Sequence, residues 1–369
     1  MSRASTASSS GEIPALNGIR ALAVSLVFLA HSGLEQIVPG GLGVTVFFVL
    51  SGYLITTLMQ REFIATGGLA LPAFYLRRLL RLMPPLLVVV ALAALLSALS
   101  LVDGEFSLRG LLSVLFYFGN YHVIAADFGG LPDGLGVVWS LAVEEHYYLL
   151  YPPLALALLR LGRPRLAAAV LVGLCALILA WRYWLAAQGA SAAYIGMATD
   201  TRADAILVGC TMAFLFQPSR WPARPGRDSL IAAACLALLL ATLLYRDERF
   251  RLTLRYTLQS LAVAPLIALV VVHSTRPALR WLGSRPLVYL GGISYTVYLA
   301  HQLILHAVQR QVPHWGWAAT LLLTALLTWL LAEPVRRWVE QPSARLRRQW
   351  SAPSPRSASA VGAQPVATP

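Results

Sequence analysis

The feature that most constrains this chain is a repeat: long apolar runs, most of them bounded by short segments that carry arginine. The runs lie at about 14–36, 42–60, 83–101, 139–160, 166–187, 203–217, 229–245, 256–273, 286–308 and 316–333. A helix rises 1.5 Å per residue, so ~20 apolar residues cross a ~30 Å hydrocarbon layer. The pattern predicts an all-α fold, a polytopic transmembrane helix bundle of about ten spans. A further apolar stretch, about 111–124, is short at ~14 residues and carries Asn120 and His122. That length suits a re-entrant or interfacial segment better than a crossing.

Composition agrees: the chain of 369 residues is 58% hydrophobic and only 12% charged, too little charge to cover a soluble domain. The net charge is +13, and every basic residue is an arginine. A nucleic-acid partner is not expected, because the arginines end apolar runs and form no stripe with exposed aromatics. They act instead as topology signals. With both termini cytoplasmic and 111–124 not crossing, the loops holding Arg61/Arg77/Arg78/Arg81, Arg160/Arg163/Arg165, Arg220/Arg224/Arg227 and Arg276/Arg280/Arg285 all fall inside. The exception is Arg246, Arg249, Arg251 and Arg255, which fall outside. This arrangement predicts a multi-pass protein of the inner (plasma) membrane, with membrane lipids around it.

Residues 1–12 lack the pattern of a signal peptide and read as a disordered cytoplasmic tail. Residues 13–340 form the transmembrane domain. Residues 341–369, basic and then rich in Ser, Pro and Ala, read as a second disordered tail, and no soluble domain is expected after Glu333. Cys175, Cys210 and Cys235 lie in or beside apolar runs without ligand spacing, so no metal is expected.

Ionisable residues inside spans are costly and mark function. Arg20 and His31 share one face of the first run, ~16 Å apart along the axis. Arg77, Arg78 and Arg81 open the third run; Arg78 and Arg81 share a face and could clamp phosphate as well as signal topology. In WSLAVEEHYYLLYP, Glu144 needs a cationic or histidine partner, and His31 is predicted at a similar depth. Asp200, Arg202 and Asp204 in DTRADAILVG suit an ion pair or a substrate contact equally. Ser294, Tyr298 and His301 follow i, i+4, i+7 on one face. The glycine-rich GVTVFFVLSGYLI reads as close helix packing, and Ser51 lacks the setting of a serine nucleophile.

Taken in order, LNGIRALAVSLVFLAH, GVTVFFVLSGYLI, FYLRRLLRLMPP, WSLAVEEHYYLLYP, DTRADAILVG and GGISYTVYLAHQLI resemble the acyltransferase-3 family of integral membrane O-acyltransferases, from about Pro14 to Glu340. The resemblance implies transfer of an acyl group, commonly acetyl from acyl-CoA (acetyl-CoA) as co-substrate, to a hydroxyl of a glycan or small hydroxylated acceptor. It implies His31 as the catalytic residue, Glu144 as part of the site, and Arg20, Arg78 and Arg81 as donor-binding residues. It also implies a stand-alone form, without the SGNH domain that some members carry. On this reading His31 takes the acceptor proton with Glu144 orienting its imidazole, or is itself acylated first. The alternative is a transporter or flippase of an acyl donor or lipid-linked saccharide, with the same polar residues forming its path.

Overall fold

A computed structural model describes residues 13–222 and 224–349, and none of these lies in a β-strand. The expected tails at 1–12 and 350–369 lie outside the described residues. The apolar runs fold as ten helices of 16 residues or more. They are α1 (Pro14–Leu29), α2 (Gly40–Thr66), α3 (Leu71–Ala98), α4 (Val138–Arg160), α5 (Pro164–Ala187), α6 (Thr199–Leu215), α7 (Pro225–Leu244), α8 (Leu254–His273), α9 (Arg285–Gln311) and α10 (Trp317–Val335).

Seven helices are long and apolar enough to cross a membrane, α10 being counted with its continuation to Arg347. The other three are α4, α6 and α9, the helices that carry the densest polar motifs. Large apolar side chains on the outer helices, such as Leu177 of α5, Leu236 of α7 and Leu322 of α10, are exposed, as a lipid-facing surface requires. The polytopic helical bundle predicted from the apolar runs is therefore present.

Stretch 111–124 forms two short helices, Leu108–Leu115 and Gly119–Ala126, broken at Tyr117, whose φ is +60°. Eight residues span only ~12 Å, so neither crosses. The second is tied down by buried Asn120, whose amide donates to Met197 O (3.3 Å) and Thr199 Oγ1 (3.0 Å) at the start of α6.

The helices meet most extensively as α2 with α6, α5 with α6, and α1 with α9. Glycine makes the first of these contacts possible. A Cβ on Gly52 of α2 would run into Ile206 O, and one on Gly209 of α6 would run into Val49 O. Two backbones thus touch where side chains would hold them apart. Proline is accommodated by exchange. Pro153 of α4 has no N–H for Leu149 O, and Tyr75 Oη of α3 donates to that carbonyl instead (3.0 Å).

One expectation is corrected. Residues 341–349 are a helix, Gln341–Gln349, running on from α10 and packed along α3. The basic composition suggested a solvated tail. Glu340, immediately before the segment, accepts a hydrogen bond from Thr296 Oγ1 of α9 (2.7 Å). The arginines expected outside also find a place: Arg249, between α7 and α8, lies over the Tyr183 ring, and Arg255, in the first turn of α8, over the Tyr256 ring.

Candidate active site

Helices α1, α2, α3, α4 and α9 enclose a cavity of about 280 Å³. Arg20, Arg61, Arg78 and Arg81 line it, with Glu144 as the sole carboxylate among the lining residues. Arg20 donates to Asn17 Oδ1 one turn earlier (3.0 Å). The Arg78 guanidinium lies 5.5 Å from the ring centroids of both Phe74 and Tyr148, and its Nε has no hydrogen-bond partner among the described residues. Arg81 is exposed toward the mouth. Four cations facing one anion leave a strong positive excess, which suits a polyanionic ligand.

Glu144 accepts a hydrogen bond from Ser51 Oγ (2.6 Å), and Tyr148 Oη donates to the same Ser51 oxygen (3.4 Å). The carboxylate lies within reach of the charges of Arg81, Arg20 and Arg78. This corrects the expected Glu144–His31 partnership. The rotation of its helix turns Glu144 to Ser51 and the arginines rather than to the histidine. Ser51, set aside in the sequence as a nucleophile, instead holds this carboxylate.

His31 sits where α1 breaks. Residues Ala30–Leu34 form a π turn, with Ser32 off helical geometry and Gly33 at φ +94°. Such turns let a helix present side chains at a site. His31 Nδ1 lies 2.8 Å from Nε2 of His301 on α9. The ring centroids are 5.1 Å apart and the planes differ by 15°. Adding one ring radius at each end of the N···N contact accounts for that separation, so the rings lie side by side, nearly coplanar. His301 is buried at 1% exposure, and its Nδ1 donates to Tyr298 O (2.7 Å).

Tyr298 joins this pair to the cavity. Its side chain lines the cavity, and its Oη shares a 2.6 Å hydrogen bond with Ser140 Oγ, another lining residue. Ser294 lines the same cavity, its hydroxyl bonded to Gly291 O (2.9 Å). A second hollow of about 290 Å³ is lined by Ser32, the chain neighbour of His31, and by Gln309, Trp315, Trp317 and Thr320 among others. Trp317 Nε1 donates to Ser32 O (2.6 Å), beside His31. Neither histidine lines either hollow; the pair adjoins them through Tyr298 on the arginine side and Ser32 on the tryptophan side.

The predicted cluster of Asp200, Arg202 and Asp204 does something else. Asp204 receives both Nη atoms of Arg182 (3.1 and 2.7 Å) and Thr257 Oγ1 (2.7 Å), all fully or almost fully buried. Asp200 accepts from Trp181 Nε1 (2.7 Å), Tyr194 Oη (3.0 Å) and Tyr121 Oη (3.4 Å). In the short helix Ala192–Met197, which leads into α6, burial and the Asp200 carboxylate push the Tyr194 phenol up to about 12, which keeps it a donor. Arg202 lies 3.8 Å over the Tyr256 ring, and its Nη1 donates to Gly196 O (3.3 Å). None of the three lines the cavity. Of the two readings open in the sequence, Asp204 takes the ion pair. Its partner Arg182 was missed, although a lone arginine inside the 166–187 run was the available signal.

A family model described as an acyltransferase domain matches residues 13–333. Similar proteins include the peptidoglycan O-acetyltransferase OatA of Listeria monocytogenes serovar 1/2a, 31% identical over 359 residues, covering 89% of this chain and 55% of the relative. The O-acetyltransferase OatA of Staphylococcus aureus is 30% identical over 349 residues, covering 89% of this chain and 57% of that protein. The chain spans a little over half the length of these curated relatives. No solved structure matches it. The helical bundle, the order of the six motifs and the family match across residues 13–333 lead to one conclusion: this chain belongs to the acyltransferase-3 family of membrane acyltransferases.

Proposed function

We propose that this protein is a membrane O-acyltransferase that moves an acetyl group from acetyl-CoA to a hydroxyl of a glycan. The observation that carries the reading is an arginine-lined cavity joined through Tyr298 to the His31–His301 pair. The arginine-lined cavity takes the donor. Arg20, Arg78 and Arg81 grip its phosphates, and the thioester arm runs past Glu144 and Tyr298 toward His31. The acceptor approaches from the tryptophan-lined side, where indole faces suit sugar rings. His31 removes the proton of the acceptor hydroxyl, and the oxygen attacks the thioester carbonyl. The C–O bond forms, the C–S bond breaks, and the proton leaves on the coenzyme thiol. The arginine-rich ends of the helices favour the cytoplasmic face of the inner membrane, so donor and acceptor come from opposite sides. The names of the OatA relatives support acetyl as the group and a cell-wall glycan as the class of acceptor.

The test is label transfer from radiolabelled acetyl-CoA with purified protein in lipid vesicles, with and without His31→Ala. An ester on the added glycan, lost in the variant, is the expected result. Donor crossing the vesicle wall with no new ester would replace this reading with the transporter.

A further inference from the structure

We infer that His301 is a positioning residue: it fixes His31 in the tautomer with the proton on Nδ1, leaving Nε2 as the atom that reacts. The inference rests on the reading of His31 as the reacting residue. It follows from a one-way chain of hydrogen bonds. A backbone carbonyl only accepts, so the 2.7 Å contact with Tyr298 O requires a proton on His301 Nδ1. A cationic His301 would be a buried charge, at 1% exposure, and no carboxylate hydrogen-bonds to either ring among the described residues. His301 is therefore neutral, and its Nε2 is a bare acceptor. The atom 2.8 Å away, His31 Nδ1, must then carry the hydrogen. The near-coplanar rings, 15° apart, let that hydrogen lie along the lone pair. His31 Nε2 is left with its lone pair, on a residue that is exposed while its partner is buried.

The device does the work that a carboxylate does in many histidine bases, with a second imidazole in its place. During transfer the acceptor O–H bond breaks and its proton moves to Nε2. The resulting imidazolium keeps its Nδ1–H on His301. The same Nε2 proton then passes to the leaving sulfur, so His31 ends as it began. Tyr298 couples this chain to the donor, since its carbonyl anchors His301 while its side chain lines the donor cavity.

The experiment compares His301→Gln with His301→Leu in the full-length protein. Both fill the histidine's space, but only glutamine can accept from His31 Nδ1. Nitrogen-15 spectra of histidine-labelled protein in lipid, with His31→Ala to identify the His31 signals, read the tautomer directly. The expected result is a protonated Nδ1 and a bare Nε2 in the native protein, retained in H301Q and shifted toward Nε2–H in H301L. In the acetyl-transfer assay kcat should fall by about 10²–10⁴-fold in H301L and distinctly less in H301Q, with donor KM unchanged in both. A native His31 carrying its proton on Nε2, or a tautomer and kcat equal in the two variants, overturns the inference. The spectra do not depend on turnover. Retained transfer in His31→Ala overturns the catalytic reading instead, whatever the tautomer.

Discussion

The molecule holds two arginine-centred regions of similar composition and opposite state. Around α5, α6 and α8, Arg182 is paired with Asp204, bonded to Thr257 and to Thr201 O (2.8 Å), and excluded from solvent. Around α1, α3 and α4, Arg20, Arg78 and Arg81 face a cavity whose one carboxylate is already bonded to Ser51. Both regions break the rule that charge stays out of the membrane. The first pairs its charge within the protein, although Arg182 Nε lacks a hydrogen-bond partner among the described residues; the second leaves charge for a ligand to neutralise. An ionisable residue in a span thus points to function only when its partners are incomplete and space adjoins it.

The comparison can be broken by removing charge from each side. Arg182→Ala leaves Asp204 buried and unpaired, and should cost about 3–5 kcal/mol of stability. Unfolding in detergent micelles measures this, and a loss below about 1 kcal/mol would contradict the clamp. On the other side, Arg78→Ala and Arg81→Ala should each lower kcat/KM for acetyl-CoA by about 1.5–3 kcal/mol, roughly 10- to 100-fold, while melting stays at the native temperature. If either variant melts early with donor KM intact, the cavity arginines are structural too. Replacing both members of the closed pair, R182M with D204L, should leave stability near the native value, because lost attraction and lost desolvation offset each other. The double variant failing to fold would show the pair specifying the packing of α5 on α6. A smaller effect than at the cavity arginines is expected at Trp317→Phe, which loses one hydrogen bond to Ser32 O, about 0.5–1.5 kcal/mol, and should raise acceptor KM a few-fold. An acceptor KM that does not move would place Trp317 among the lipid-interface aromatics.

Much of the fold was legible because hydrocarbon leaves the chain few choices. Runs of apolar residues long enough to cross become helices, and their positions in the sequence match α1 to α10. The shortness of 111–124 likewise foretold helices that do not cross. The arginine cluster was legible for the same reason, since Arg78 and Arg81 share a face by helical period alone. Partnerships were not. Glu144 was expected beside His31 from its depth, but depth says nothing of azimuth. The rotation of α4 turned it to Ser51 and the arginines. The helix at 341–349 was read as a tail from its basic composition. It packs along α3, and Glu340 just before it accepts from a hydroxyl 44 residues away.

By itself, then, the sequence determined the helices, the non-crossing segment and the inventory of polar groups, because each follows from period, length and the cost of charge in lipid. Only the tertiary structure decided which of those groups meet. The 270 residues between His31 and His301 carry no local signal of their contact. That contact exists because α1 and α9 pack together and a π turn rotates His31 onto its partner. The same packing assigned Arg182 to Asp204 and left the cavity arginines facing open space, a difference of partners that residue type does not encode.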